Sequence, residues 1–134
     1  MTKHSDKRKA ALKHGYRSGL EDDIAKQLDA MRVKYTYEEL KISYTVPESK
    51  HKYTADFVLP NGIVVESKGR FVTADRKKHL LIKQQYPDLD LRFVFSNPRC
   101  KISKVSKTTY GDWCDKNGFL YATKRIPEEW INET

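Results

Sequence analysis

The stretch YTADFVLPNGIVVESKG, which spans Tyr53–Gly69, decides the fold because it predicts two β-strands joined by a tight turn. Pro60 fixes the first turn position, Asn61 tolerates the second, and Gly62 supplies a left-handed conformation. The turn therefore fits a three-residue hairpin loop that closes with a bulge. Apolar residues recur at every second position on both sides of the turn, which is the period of half-buried strands; they are Tyr53, Ala55, Phe57, Leu59, Ile63 and Val65.

The register of this hairpin brings charged side chains together. A three-residue loop places Leu59 opposite Ile63, and the same register puts three more pairs on one face: Val58 with Val64, Asp56 with Glu66, and Thr54 with Lys68. Directly opposed side chains have Cβ atoms about 5 Å apart, so two opposed carboxylates repel each other unless a cation lies between them. Asp56 and Glu66, with Lys68 one step along the strand, therefore predict a site for a divalent cation.

Two alternatives stay open at this point. A two-residue Asn61-Gly62 loop would pair Asp56 with Ser67 and turn Glu66 to the other face of the hairpin. The two carboxylates could also be ordinary charges on a solvent-facing surface, each paired with a lysine, because short motifs often match by chance.

Length and charge limit the class of protein. The 134 residues suit one domain. A net charge of +8 and a pI near 9.4 indicate a polyanionic partner, of which nucleic acid is the default. The sequence lacks a long apolar run and a signal-like start, which argues against a membrane or secreted role. Cys100 and Cys114 do not have the spacing of metal ligands, so we interpret them as reduced thiols of a cytoplasmic protein.

Residues 1–17 carry many cations and few apolar side chains. We expect a flexible basic arm there, followed by a single folded domain over residues 18–134. Such an arm can simply keep a protein soluble, but on a basic chain we favour contact with the DNA backbone. The arm residues assigned to that contact are Lys7, Arg8, Lys9, Lys13 and Arg17.

The segment from Ser18 to Met31 predicts a helix. Ser18 and Glu21 have the spacing of a capping box, which gives Glu21 a complete structural role at the start of the helix. An apolar stripe at helical spacing follows, formed by Leu20, Ile24, Leu28 and Met31.

The next segment, from Val33 to Val46, alternates in polarity with a change of parity near Glu38 and Glu39. This pattern predicts one long bent strand or two strands that end at Pro47. Residues 47–52 then predict a polar loop that leads into the central hairpin.

Residues 73–86 predict a second helix, capped by Thr73 or Asp75 and ended by Pro87. Cations in the first turns oppose the helix dipole by a few tenths of a kcal/mol each. Nearby phosphate would offset this cost, so they are candidate DNA contacts, although solvated charges balanced by Asp75 are an equal alternative. These cations are Arg76, Lys77 and Lys78.

The remaining chain predicts a strand through Leu91, Phe93 and Phe95, close enough to the second helix for a parallel crossover. A polar basic loop follows at residues 96–107. Further elements are expected at residues 109–117, a helix ended by Gly118, and at residues 119–123, a short strand. Pro127 opens a last turn in which Trp130 and Ile131 hold the C-terminus to the body.

This order of elements resembles the restriction-endonuclease-like nuclease core with its PD-(D/E)xK signature, here Asp56 followed by Glu66-Ser67-Lys68. Six segments further resemble phage endonuclease I of the T-seven type, a family that resolves Holliday junctions, and the likeness runs from about residue 15 to residue 131. The segments are Arg17–Asp22, Tyr53–Phe57, Leu59–Ile63, Val65–Gly69, Asp75–Leu80 and Ile126–Ile131.

The resemblance implies an α/β (α+β) fold, with a mixed β-sheet flanked by helices and an intertwined homodimer. It also implies metal-dependent cleavage of four-way and other branched DNA junctions in the cytoplasm of the infected host cell. Ala55 stands where the family usually has proline before the aspartate. Since that position supplies no ligand, the chemistry should survive the difference.

By position, the resemblance assigns two ions, Mg²⁺ or Mn²⁺, to each active site. Asp56 would bridge both ions, Glu66 and the backbone carbonyl of Ser67 would complete one, and Glu21 would serve the other. Lys68 would orient the attacking water or stabilise the charge on phosphorus. Glu21 would come from one subunit and the other residues from its partner.

Two other functions stay open from the sequence. One is a restriction-like or repair endonuclease that acts on ordinary duplex DNA. The other is a non-catalytic basic DNA-binding module whose acidic residues are structural.

Overall fold

The computed structural model describes residues 15–46 and 49–134 of the chain. The predicted DNA contacts Lys7, Arg8, Lys9 and Lys13 lie outside the described residues, as does Pro47. In chain order the elements are α1 (Gly19–Ala30), β1 (Thr36–Tyr37), β2 (Lys41–Val46), β3 (Ser49–Thr54), β4 (Phe57–Val58), β5 (Val64–Lys68), α2 (Thr73–Gln85), β6 (Leu91–Phe95), α3 (Tyr110–Asn117), β7 (Tyr121–Thr123) and α4 (Glu128–Asn132).

Five strands form a mixed sheet in the order β1-β4-β5-β6-β7, and β2 pairs with β3 in a separate two-stranded sheet. The pairs β1–β4 and β4–β5 are antiparallel, while β5–β6 and β6–β7 are parallel. The predicted mixed sheet flanked by helices and the predicted parallel crossover from β5 through α2 to β6 are confirmed. No helix in the described part of the chain is long and apolar enough to cross a membrane.

The central hairpin has the predicted register. Val58 is opposite Val64, and Leu59 N–H donates to the carbonyl of Ile63 at 2.9 Å. Gly62 takes the left-handed conformation with φ of 89°, which its lack of a side chain permits. The three-residue loop is therefore confirmed over the two-residue alternative.

The register does not continue as far as predicted. Thr54 pairs with Lys41 of β2 rather than with Lys68, and the chain passes from one sheet to the other between Ala55 and Phe57. The prediction of a polar loop at residues 47–52 is also wrong, because Ser49 begins β3. The side chains of β3 are exposed except for Tyr53, so this strand lacks the apolar alternation by which strands are recognised.

The helices lie close to their predicted positions. Ser18 caps α1, where its Oγ accepts from Glu21 N–H at 3.0 Å. For α2 the predicted caps are wrong, because Val72 is the N-cap and makes no side-chain hydrogen bond there. The Thr73 hydroxyl instead accepts from the guanidinium of Arg76 at 3.0 Å.

Helix α3 begins and ends as predicted. Thr109 and Asp112 form a capping box at its start, and Gly118 ends it in the left-handed conformation with φ of 75°. At the C-terminus, Pro127 is the N-cap of α4 and Trp130 is buried, so the predicted anchoring turn is confirmed.

Two hydrophobic cores lie on opposite faces of the large sheet, which explains why β6 is buried along its whole length. One core packs α2 and α3 against residues such as Val64 and Phe93. The other packs Ile24 and Leu28 of α1, together with α4, against Val65. The second core fixes α1 beside β5 and so positions the residues at the start of α1.

Candidate active site

A cleft of about 540 Å³ opens where α1, β5 and the crossing between the two sheets meet. Four carboxylates line it: Glu21, Glu38, Asp56 and Glu66. Five cations also line it: Arg17, Lys41, Lys52, Lys68 and Lys78. The four residues predicted to be catalytic therefore share one cavity within a single chain.

Asp56 lies at the crossing between the sheets and is buried. Its Oδ2 accepts from the backbone N–H of Ser67 at 3.0 Å and from the Ser67 hydroxyl at 2.8 Å. Burial nevertheless raises the pKa of Asp56, while the hydrogen bonds from Ser67 and the charge of Lys68 act in the opposite direction. Ser67 thus holds one carboxylate oxygen and leaves Oδ1 available to face the cleft.

Glu66 is 4% exposed and accepts a hydrogen bond from the Tyr53 hydroxyl. Its Oε1 lies 3.5 Å from the ammonium of Lys68. Burial and then the negative charge of Asp56 raise the pKa of Glu66 to about 8. Asp56 and Glu66 line the same cleft, as the hairpin register predicts.

The Lys68 ammonium lies between two acids, 3.5 Å from Glu66 and 3.5 Å from Asp75. Burial alone would lower the pKa of Lys68, but the carboxylates, Glu66 first, outweigh that effect and raise it. Lys68 is therefore a fixed positive charge at the edge of the cleft.

Glu21 enters the cleft from the first turn of α1. Its backbone N–H completes the cap with Ser18, while its carboxylate accepts from the Tyr37 hydroxyl. Burial and then Asp56 raise the pKa of Glu21. The Glu21 carboxylate thus faces Asp56 and does not make the return bond of the predicted capping box, so α1 has only the half of that box that Ser18 supplies.

Glu38 is a cleft residue that the sequence analysis did not single out as functional. It has a positive φ of 51° between β1 and β2, and its N–H donates to the carbonyl of Asp56 at 3.2 Å. Carboxylate oxygens of Glu21, Glu38 and Asp56 all lie within 4.8 Å of one another. The only sequence signal was the parity change at Glu38, which we interpreted as a bend in a strand.

This donor set fits a divalent cation. Carboxylate oxygens are the ligands that hard ions such as Mg²⁺ and Mn²⁺ prefer. Burial is the main cause that raises the pKa values of Glu21, Asp56 and Glu66, and a bound cation would favour their ionised forms. Glu21, Glu38 and Asp56 could hold one ion, and Glu66 lies beside them.

The predicted DNA-binding cations have different environments. Arg17 is exposed at the rim of the cleft, 3.9 Å from Glu38, and Lys78 lines the cleft beside the Tyr53 ring. Lys77 is exposed. Arg76 is buried, and its guanidinium donates to the carbonyl of Phe71 at 2.5 Å. Because Arg76 ties the start of α2 to the preceding loop, we withdraw it from the DNA interface.

Comparisons with known proteins agree with the resemblance noted in the sequence. A sequence model of the family described as phage endonuclease I matches residues 1–134. "Endonuclease I" of Escherichia phage T7 is 55% identical over 118 residues, which make up 88% of this chain and 79% of that protein. "Endodeoxyribonuclease 1" of Enterobacteria phage T3 is 53% identical over 118 residues, which make up 88% of this chain and 78% of that protein.

Proposed function

The chain belongs to the phage endonuclease I family, and on that premise we propose that it resolves four-way (Holliday) and other branched DNA junctions by metal-dependent phosphodiester hydrolysis. Its relatives are named as endonucleases, so the chain is an enzyme and not a non-catalytic binding module. The observation that carries the proposed chemistry is the meeting of Glu21, Glu38 and Asp56 within 4.8 Å, in the cleft that also holds Glu66 and Lys68.

We infer that the site takes two divalent ions, Mg²⁺ or Mn²⁺. When bound, they would neutralise charge on the phosphate and supply a hydroxide-like nucleophile at neutral pH. Asp56, held by Ser67, would contribute to both ions, Glu66 and the Ser67 carbonyl would help to hold one, and Glu21 would help to hold the other. The donor set adds Glu38 to the Glu21 side.

Lys68 acts beside these acids. Its ammonium stays charged because Glu66 and Asp75 stabilise it. A fixed positive charge in this position can orient a water molecule, and it can also stabilise negative charge that develops on the phosphate oxygens. Tyr53 holds the Glu66 carboxylate in place through its hydroxyl.

Branched DNA is proposed as the substrate because the family resemblance implies it. The net charge of +8 supports a large phosphate contact surface. We place this activity in the cytoplasm of the infected cell, where phage DNA recombines.

We further propose that the protein is a homodimer with active sites shared between subunits. In one chain, α1 packs on the sheet through Ile24 and Leu28. If α1 packed in the same way on the sheet of a partner chain, it would keep these contacts. Glu21 would then reach the Asp56 of the partner chain.

The junction assay tests the proposed activity. With Mg²⁺ present, the protein should cut a synthetic four-way junction and attack a linear duplex of the same sequence much more weakly. Glu66→Ala should abolish cutting but keep junction binding, whereas Glu129→Ala, a change of the same type on exposed α4, should cut normally. Equal cutting of junction and duplex would remove the junction claim and favour an ordinary duplex endonuclease.

Mixing variants tests the shared site. If Glu21 acts in trans, a dimer of one Glu21→Ala chain and one Glu66→Ala chain has one intact site, so nicking of single strands should return. If subunit exchange is demonstrated by mass spectrometry and no nicking returns, the sites are built within single chains, as one chain allows.

A further inference from the structure

A second cavity, of about 630 Å³, lies just beyond the C-terminal end of β5 and is called the basic groove below. It is lined by Gly69–Val72, by Cys100–Lys104 of the loop before α3, and by Tyr110. Lys68 lines the cleft and the next residue, Gly69, lines the basic groove. Since consecutive Cα atoms are about 3.8 Å apart, Arg70 lies no more than about 7.6 Å from Lys68 along the backbone.

The charge of the basic groove differs from that of the cleft. Its charged lining residues are Arg70, Lys101 and Lys104, and no acid is among its lining residues in the described part of the chain. All three cations are exposed. Among residues 15–46 and 49–134, none of them has a carboxylate within ion-pair distance. These charges are therefore available to an anion from outside the chain.

The loop that carries the two lysines is held in place by its backbone. Lys101 pairs with Thr109, and the N–H of Ile102 donates to the carbonyl of Thr108 at 2.9 Å. Tyr110 N–H donates to the Cys100 carbonyl at 2.8 Å, and Ile102 packs against the core beneath. An anchored loop loses little conformational freedom when it binds a ligand, which favours binding.

We propose that the basic groove binds the phosphate backbone of the DNA strand next to the phosphate that is cut. This inference rests on DNA being the substrate of the proposed function. One DNA strand carries a phosphate per about 3.4 Å of helix axis, so a phosphate held beside Lys68 has neighbours within reach of Arg70. Contacts of this kind position the strand and carry no sequence information, as a nuclease selective for DNA shape requires.

The exposed thiol of Cys100 gives a direct test because it lines the basic groove. Cys114 serves as the internal control, since it is buried and burial raises its pKa to about 12. In a Glu66→Ala background, which prevents cutting, a saturating four-way junction should protect Cys100 from a maleimide reagent. Alkylation of Cys100 at the same rate in the free protein and in the saturated complex would overturn the proposal.

Charge reversal gives the second test. The double variant Lys101→Glu with Lys104→Glu should bind the junction more weakly, and the slope of log affinity against log salt should fall by about 2. The matched control is Lys107→Glu with Lys116→Glu, which changes the net charge equally in another cavity that contains Asp112 and Asp115. Thermal unfolding of both variants checks that each of them is folded.

The two proposals fail separately. If the variant at Lys101 and Lys104 and its control have the same affinity and salt slope, the basic groove does not hold DNA, while the wild-type protein can still cut junctions. If the wild-type protein shows no preference for junctions but the variant still weakens binding, the junction proposal fails and the basic groove stands.

Discussion

Replacing Glu66 by glutamine should stabilise the metal-free protein at neutral pH while it abolishes DNA cutting. Burial and the charge of Asp56 raise the pKa of Glu66 to about 8 in the folded protein, from its ordinary value of 4.5. The folded state therefore holds this proton more tightly than the unfolded state does. Its contribution to stability is full below pH 4.5 and is lost as the pH rises toward 8.

The size of the effect follows from the two pKa values. Ionisation of Glu66 lowers the free energy of unfolding by about 1 kcal/mol at pH 5 and by about 3 kcal/mol at pH 7. Glutamine has the same shape and can still accept the hydrogen bond from Tyr53, but it does not ionise. Between these pH values the free energy of unfolding should therefore fall by roughly 2 kcal/mol less in the variant than in the wild-type protein.

Urea unfolding in EDTA, at several pH values from 5 to 8, measures this difference. Glu129→Gln is the matched control, because Glu129 is exposed and far from the cleft in sequence. Adding Mg²⁺ should raise the free energy of unfolding of the wild-type protein more at pH 8 than at pH 5, since a bound ion must displace the proton from Glu66. If the wild-type protein and Glu66→Gln lose stability in parallel as the pH rises, ionisation of Glu66 does not destabilise the folded protein. The reasoning would then be wrong.

Three other predictions concern single side chains. Arg76→Ala should lower the melting temperature and leave the salt slope of DNA binding unchanged. Lys77→Ala should lower that slope by about 1 and leave the melting temperature unchanged. The reverse pattern would return Arg76 to the DNA interface. Tyr53→Phe removes the hydrogen bond to Glu66 and should weaken Mn²⁺ binding about tenfold in a calorimetric titration, and unchanged affinity would exclude this positioning role. Glu38→Gln should weaken Mn²⁺ binding and raise metal-free stability, because it removes one of the clustered charges; a variant that binds Mn²⁺ normally would exclude Glu38 as a ligand.

The features that the sequence predicted correctly are governed by local interactions. Gly62 and the residues around it determine the loop length, and the loop length determines that Asp56 and Glu66 face the same space. The start of α1 at Ser18 and the end of α3 at Gly118 follow from capping residues that act within one turn. Each of these predictions needed only residues that are close in the chain.

The features that it missed depend on contacts between distant segments. Arg76 matches the pattern of a surface cation, and only the position of the Phe71 carbonyl shows why it is buried. Glu38 faces the cleft because its backbone bonds to that of Asp56, eighteen residues later in the chain. The pairing of Thr54 with Lys41 was missed because β3 is exposed except for Tyr53 and so lacks the apolar alternation that marks a strand.

In the cleft, the apolar packing of α1 on the sheet opposes the repulsion between the acidic side chains. Glu21 is brought toward Asp56 by α1, which the fully buried side chains of Ile24 and Leu28 fix to the sheet. Burying such side chains contributes about 1.5–3 kcal/mol each, which is comparable to the cost of ionising Glu66 at neutral pH. The core beneath α1 is therefore large enough to offset the cost of burying these acids together in the metal-free protein. A change that weakens this core without touching a ligand, such as Leu28→Ala, should lower the stability of the metal-free protein, so that its folded fraction in urea depends more strongly on Mg²⁺.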